Sequence, residues 1–160
     1  MPSADLSFGI DISVYDGKVN WDVVATHINP QVVFTGIRAT VSWGYTDAQF
    51  PRNWSEAKRF SAARVARGGF PLFRCAYHVV YPSEDAVRQI DYFMTVVGPD
   101  LGELPLVLDV ELDQALATAL ALIKCWLALR NSPGKPAGFQ IFTAGHYGWM
   151  NLSPVPRMVN

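Results

Sequence analysis

LPLVLDVE, residues 104–111, is an apolar stretch of strand length that two acidic residues interrupt near its end. These residues, Asp109 and Glu111, are two positions apart, so in a β-strand their side chains project from the same face. A second strand-like run, residues 6–12, also carries a carboxylate near its end, Asp11. In parallel barrels this end of the strands is where ligands meet the loops, so the three carboxylates form a candidate site.

Strand-like and helix-like segments alternate through the rest of the chain. Further strands are predicted at residues 31–40, 72–80 and 138–143, and helices at residues 22–27, 53–67, 83–97 and 113–130. Ser83 is the expected N-cap of the third helix. The repeated strand, helix, strand order predicts an α/β fold with a parallel sheet, and the nearly continuous apolar strands predict that both faces are covered. A barrel-like sheet is the favoured form.

The composition predicts one domain over residues 1–160. The net charge of -1 gives no general field that would gather nucleic acid or anionic lipid, and no stretch reaches the roughly 18 apolar residues of a membrane span. The N-terminus lacks the pattern of a signal peptide, so we expect synthesis in the cytoplasm. Cys75 and Cys125 lie in apolar contexts and are expected to be free, buried thiols.

The D-x-E strand suggests glycoside chemistry. Cleavage of a glycosidic bond needs one carboxyl group that holds a proton for the leaving oxygen and another that stays negative beside an oxocarbenium-like centre. Glu111, on the longer stem, is the expected proton donor, and Asp109 would stabilise charge or orient the reacting group. The alternative is that strand-end aspartates such as Asp11 cap the following turn. Carboxylates on two strand ends together favour catalysis.

Four other residues are candidates for substrate binding. Tyr77 and His78 adjoin at the end of a strand, so one should face the site and the other the helices. Tyr77 could donate a hydrogen bond to a sugar or a carboxylate, and either residue could instead be a satisfied core group. Arg38 lies inside an apolar strand and requires an acidic partner, for which Asp11 or Asp109 is expected. Tyr147 lies in a Gly-flanked loop after a strand.

Aromatic side chains in the loops after strands could stack on sugar rings or cover the core. Trp43, Tyr45 and Trp149 share that position with Tyr147, whereas helical positions predict core roles for Trp21, Trp54 and Trp126. The histidines are too scattered to form a recognisable metal signature, so no metal is expected.

Several segments together resemble the family 25 lysozymes of the glycoside hydrolases. The likeness runs from about Phe8 to Tyr147. It includes FGIDISVYDGKVNWDVV (residues 8–24), GIRAT (36–40), YTDAQFPRNWSEAK (45–58), CAYHVVYP (75–82), QIDYFMTVVG (89–98) and LPLVLDVE (104–111).

The resemblance implies a modified TIM-like (β/α) barrel with N-acetylmuramidase activity on peptidoglycan and no organic cofactor. Asp11, Asp109 and Glu111 match the family's acidic positions, with Glu111 as general acid. It leaves open whether Asp109 polarises the substrate's 2-acetamido group or a covalent intermediate forms. Such an enzyme would act on the cell wall after release or lysis, as an endolysin or a wall-remodelling protein does.

Two other functions stay open at this point. The main alternative is a truncated or inactive domain that binds peptidoglycan without turnover. It is considered because family members continue through further strands, so we expect a barrel that is incomplete at its C-terminal end. A chitin-cleaving barrel glycosidase would use the same D-x-E chemistry. The oligomeric state is not indicated.

Overall fold

The computed structural model of the chain describes residues 7–26, 31–110, 124 and 139–143, the last segment by its backbone alone. These ranges contain a short 3-10 helix (Val14–Asp16) and three named α-helices: α1 (Trp21–Thr26), α2 (Phe50–Ala66) and α3 (Ala86–Val97). The same ranges contain six strands of one sheet: β1 (Phe8–Ile12), β2 (Val32–Val41), β3 (Tyr45–Thr46), β4 (Phe73–Val79), β5 (Leu106–Val110) and β6 (Phe139–Thr143).

The sheet is parallel except at one short strand. Its main path is β1-β2-β4-β5-β6, with every neighbouring pair parallel, while β3 pairs antiparallel with β2. This confirms the predicted α/β class with a mostly parallel sheet. Because the main strands all run in one direction, their C-terminal ends share one edge of the sheet, and the loops that follow them meet there.

The two faces of this sheet differ in chemistry. Asp11, Gly36 and Cys75 are in register across β1, β2 and β4, and further along the strands Val79 is in register with Asp109. Strand alternation places Tyr77 on the same side as Cys75 and Val79. We call this side the polar face, defined by Asp11, Gly36, Cys75, Tyr77 and Asp109.

The opposite side, which we call the helix face, is apolar and packs against the helices. Its strand residues and the helix residues that cover them form one core cluster. The cluster includes Ile37, Ala76, Leu106 and Leu108 from the strands and Trp21, Trp54, Phe60, Ile90 and Phe93 from the helices. Burial of this face anchors the sheet and leaves the polar face available for chemistry.

The predicted strands agree with the structure, but several helix details do not. Helix α2 begins at Phe50 rather than at residue 53, because Pro51 is tolerated in the first turn of a helix. The N-cap of α3 is Asp85, whose carboxylate accepts from the backbone N of Arg88 at 2.8 Å, and not Ser83. Strand β3 was not predicted. The expected helix at residues 113–130 lies outside the described residues, apart from residue 124.

The expected core tryptophans are confirmed where they are described. Trp21 is 3% exposed and Trp54 is 7% exposed, and both belong to the core cluster. Cys75 is a free, buried thiol, as expected. Cys125 and Trp126 lie outside the described residues. Within the part of the chain that the structure describes, we find no helix with the length and apolarity needed to cross a membrane.

Candidate active site

The phenol of Tyr77 contacts one carboxylate of the polar face and is influenced by the charge of a second. It forms a side-chain hydrogen bond with Asp11, and both Asp11 and Asp109 act on it electrostatically. Burial, followed by the charge of Asp11, raises the pKa of Tyr77 well above its ordinary value. The phenol therefore stays protonated and donates its hydrogen to the Asp11 carboxylate. Tyr77 can orient a carboxylate or a substrate oxygen, but it cannot act as a base near neutral pH.

Asp109 enters this site from the far end of β5. Val79 is its register partner on β4, and the carbonyl oxygen of Asp109 accepts from the backbone N of Val80 at 2.8 Å. This hydrogen bond fixes the backbone where β4 and β5 end. The Asp109 side chain is half-buried, so its carboxylate combines a defined position with access from solvent.

The surface of the polar face beside Asp11, which we call the floor, is formed by two small residues, Gly36 and Cys75. A Cβ atom placed on Gly36 would lie 3.6 Å from Oδ1 of Asp11, 3.8 Å from Sγ of Cys75 and 3.9 Å from Cδ1 of Tyr77. Burial, and then the charge of Asp11, raises the pKa of the Cys75 thiol to about 12. The thiol is therefore a neutral packing group beneath the site and not a nucleophile.

Arg38 has a different partner from the one expected. We predicted that it would hold Asp11 or Asp109 ionised, but its Nε lies 2.9 Å from Oδ2 of Asp47. Burial would lower the pKa of Arg38, but the hydrogen bond and charge of Asp47 outweigh that effect and raise it. Asp47 is fully buried, so its carboxylate requires a cation, and it draws Arg38 toward the loop after β3.

Asp47 also connects two loops at the edge of the site. It accepts from the backbone N of Val14 at 2.8 Å and from the backbone N of Gln49 at 2.9 Å. The loop after β1 and the loop after β3 are thereby attached to the same carboxylate. Sequence reasoning did not identify Asp47, although a signal was available, because it is the first acidic residue downstream of Arg38.

His78 lies on the helix face, away from the carboxylates. Its Nδ1 is 2.7 Å from Oγ1 of Thr40, its Nε2 is 3.3 Å from Oε1 of Gln89, and its ring stacks on Phe93 at 5.4 Å. Burial lowers the pKa of His78 to about 4, so the ring is neutral at physiological pH. The structure thus places Asp11, Asp109 and Tyr77 on the polar face of the sheet and His78 on the helix face.

Two predicted site residues, Glu111 and Tyr147, lie outside the described residues, as does Trp149. Their assignments therefore stay predictions. Within the described ranges, no group of three or more histidine, cysteine or acidic side chains could hold a metal ion.

The family can be assigned once this arrangement is combined with a comparison of sequences. The sequence model of glycosyl hydrolases family 25 matches residues 10–143. The chain belongs to glycosyl hydrolase family 25. The match covers the parallel sheet from β1 to β6 and includes Asp11, Tyr77 and Asp109.

Three relatives show how far the family likeness extends. The uncharacterized protein YegX from Escherichia coli strain K12 is 31% identical over 113 residues, which are 69% of this chain and 38% of YegX. Lysozyme M1 from Streptomyces globisporus is 34% identical over 107 residues, or 64% of this chain and 32% of that protein. A crystal structure of a bacterial lysozyme from Streptomyces coelicolor superimposes with a TM-score of 0.67 at 23% identity, covering 88% of this chain and 64% of the other.

Exposed aromatic residues surround the site of this family 25 chain at the C-terminal ends of the strands. Tyr15 is 87% exposed, and Trp43, Tyr45 and Tyr81 are 41%, 46% and 37% exposed. The guanidinium carbon of Arg38 lies 4.9 Å from the ring centroid of Tyr15 and 6.0 Å from that of Tyr45. The pair of Arg38 and Asp47 therefore supports two tyrosines whose faces could stack on a saccharide.

Proposed function

We propose that this family 25 chain hydrolyses the β-1,4 bond between N-acetylmuramic acid and N-acetylglucosamine in peptidoglycan. The observation that carries the proposal is that Asp11 and Asp109 share the polar face with Tyr77, which donates a hydrogen bond to Asp11, near the strand ends where the loops converge. Membership of family 25 and the likeness to lysozyme M1 point to the same chemistry. Accessible carboxylates near the strand ends, with exposed aromatic residues on the neighbouring loops, suit a saccharide chain.

The proposed reaction divides the work among three carboxylates. Glu111 protonates the leaving glycosidic oxygen and later accepts a proton from the attacking water. Asp109 stays negative and either polarises the 2-acetamido group of the substrate or stabilises positive charge at the sugar carbon. Asp11, held by the Tyr77 phenol, supplies a second negative charge on the same face. No metal or organic cofactor takes part in this proposal.

The proposed architecture is a modified TIM-like (β/α) barrel. The sheet order supports it, because consecutive main strands are adjacent and parallel, as in a barrel wall. The polar face would be the inner surface, and the proposed substrate would cross the end that carries Asp11 and Asp109. The proposed place of action is the cell wall.

The test compares the wild-type chain with Glu111→Gln on purified peptidoglycan, with turbidity and released reducing ends as readouts. We expect at least about a 100-fold loss of rate for the variant, since a proton donor is removed. Glu56→Gln is the matched control, because Glu56 lies on α2 in an exposed pair with Arg59, and it should retain full activity. Activity that survives Glu111→Gln at equal folded concentration would refute the assigned mechanism.

A second candidate function is peptidoglycan binding without turnover. The exposed aromatic residues of the strand-end loops favour it, because they can bind a saccharide whether or not the carboxylates cleave it. The matched segments correspond to 38% of YegX and 32% of lysozyme M1. A folded wild-type chain that sediments with peptidoglycan but releases no reducing ends would support binding alone. Product analysis on chitin oligomers in the same assay would identify a chitin-cleaving enzyme instead.

A further inference from the structure

Trp43 and Arg88 form an exposed pair beside the proposed site. Trp43 lies in the loop between β2 and β3, and Arg88 lies in the first turn of α3. The guanidinium carbon of Arg88 is 3.6 Å from the centroid of the Trp43 ring system, and both residues are exposed. This close cation–π contact joins the loop between β2 and β3 to helix α3, and the two residues are 45 positions apart in the chain.

The backbone that presents Trp43 is held in an uncommon conformation. Ser42 has a φ of 53°, in the left-handed region that non-glycine residues rarely adopt. Its hydroxyl donates to the Glu84 carboxylate, and its backbone N donates to the carbonyl of Val79 at 3.1 Å. The Asp85 carboxylate accepts from the backbone N of Arg88. Glu84 and Asp85, the two acidic residues that precede Arg88 most closely, therefore each have a donor within the fold.

The pair lies at the same edge of the sheet as the carboxylates. Val41, at the end of β2, is in register with Val79, and Val79 is in register with Asp109. Val41 and Asp109 are thus two strand spacings apart, or about 10 Å. Trp43 follows Val41 by two residues. A ligand that reaches from Asp109 to this pair would extend sideways across the strand ends toward α3.

We propose that Arg88, stacked on Trp43, binds a carboxylate of the peptide that substitutes the muramic acid in peptidoglycan. This inference rests on the proposed function and names the part of the substrate that the chain distinguishes. A guanidinium stacked on a ring keeps its N–H groups in the plane of the fork, where they can form two parallel hydrogen bonds to a carboxylate. The ring holds the fork in place, which reduces the conformational entropy lost on binding.

The anionic partner follows from how the aromatic face is used. Arg88 covers one face of Trp43, so the pair presents a charged guanidinium fork beside the indole ring. Saccharide rings of the glycan offer hydroxyl and amide oxygens, whereas the peptide stem offers charged carboxylates. A carboxylate carries the opposite charge to the guanidinium and can accept two parallel hydrogen bonds from its fork, whereas the glycan oxygens are neutral. The pair therefore favours the peptide stem over the bare glycan.

The kinetic test uses peptide-bearing glycan strands and the same strands after enzymatic removal of the peptides. For Arg88→Gln we expect KM on the peptide-bearing strands to rise about tenfold with kcat unchanged, and no change on the bare strands. Arg88→Lys keeps the charge but lacks the fork, so it should restore only part of the affinity. Arg67→Gln is the matched control, because Arg67 is an exposed arginine at the C-terminal end of α2.

A binding measurement separates this inference from the proposed function. A synthetic muramyl dipeptide with free carboxylates and the same compound with amidated carboxylates are titrated into the wild-type chain and Arg88→Gln by NMR. Weaker binding of the amidated compound to wild type, and loss of the difference in Arg88→Gln, would support the inference even in a chain that hydrolyses nothing. Equal binding of both compounds, or an equal KM increase on bare and peptide-bearing strands, would overturn it.

Discussion

Tyr77 and His78 are adjacent in β4, yet they belong to different parts of the molecule. Tyr77 lies on the polar face, where its phenol contacts Asp11 and is influenced by Asp109. His78 lies on the helix face, fully buried between Thr40, Gln89 and Phe93. Burial shifts the pKa of both residues, upward for Tyr77 and downward for His78, because it opposes the charged form of each.

The sheet thus contains two kinds of polar residue, those buried on the helix face and those accessible on the polar face. On the helix face every ring atom of His78 that can bond has a partner within the fold, so its role is structural. On the polar face Tyr77 and Asp109 are half-buried and Asp11 is exposed, so a ligand can reach them. Substitutions on the helix face should therefore alter stability, while those on the polar face should chiefly alter turnover.

The largest expected effect on stability concerns the pair of Arg38 and Asp47. This pair is an exception to the division, because it lies near the polar face and is nevertheless buried. Asp47→Asn should lower the free energy of unfolding by about 3 kcal/mol, because it leaves a buried guanidinium without its counter-charge. Chemical denaturation at pH 7 measures the change. It should also lower activity, since the loop that carries Tyr15 loses part of its anchor.

Glu56→Gln again supplies the control. The pair of Glu56 and Arg59 is exposed, so its removal should leave the free energy of unfolding unchanged. If Asp47→Asn were as stable as the control variant, the Arg38–Asp47 pair would not hold the two loops in place. Large effects on stability would then be confined to the helix face.

The next effect concerns pH and the helix face. The pKa of His78 is about 4 in the folded chain against an ordinary 6.5, so between these values the unfolded chain binds a proton that the folded chain does not. The stability that His78 contributes is therefore fully present above pH 6.5 and decreases as the pH falls toward 4. Between pH 7 and pH 4.5 the loss should be about 2 kcal/mol.

Denaturation curves of wild type and His78→Gln over this pH range isolate the contribution, since other groups titrate in both proteins. The pH dependence of wild type should be steeper than that of the variant. Parallel curves would mean that His78 has the same pKa in the folded and the unfolded chain, and would contradict its burial in the core.

Tyr77→Phe is the matching change on the polar face. It deletes the hydroxyl that contacts Asp11 and keeps the ring, so unfolding should change by about 1 kcal/mol or less. If the proposed function holds, kcat on peptidoglycan should fall about tenfold, because the Asp11 carboxylate loses a positioning donor. A large stability loss with normal turnover would place Tyr77 in the same structural class as His78.

Sequence patterns were sufficient for the strands of the sheet and for the shared face of Asp11 and Asp109, whereas Glu111 lies outside the described residues. Strand alternation and the common direction of the strands require Asp11 and Asp109 to lie near one edge of the sheet, and the structure has both on the polar face with Tyr77. Alternation also requires Tyr77 and His78 to face opposite sides. These results depend on backbone periodicity, which is a local property that the sequence expresses directly.

The features that could not be predicted depend on side-chain reach and on short elements. Arg38 has a long side chain, so several carboxylates were possible partners, and only the fold brings Asp47 within 2.9 Å. Strand β3 has two residues and therefore no periodicity to detect. Ser83 and Asp85 are both good N-cap residues, and the choice between them depends on how α3 packs on the sheet.

The smallest expected effect uses Gly36 to test the shape of the polar face. Gly36→Ala places a methyl group at ordinary contact distances from Asp11, Cys75 and Tyr77, so we expect unfolding to change by less than about 1 kcal/mol. The methyl group would cover the floor between Asp11 and Tyr77, and turnover should fall a few-fold while the fold persists. Gly36→Val is the sharper companion, since its larger branched side chain should displace the Asp11 carboxylate. If both variants kept wild-type turnover, substrate would not contact this floor, and the reacting groups would have to lie nearer to Asp109.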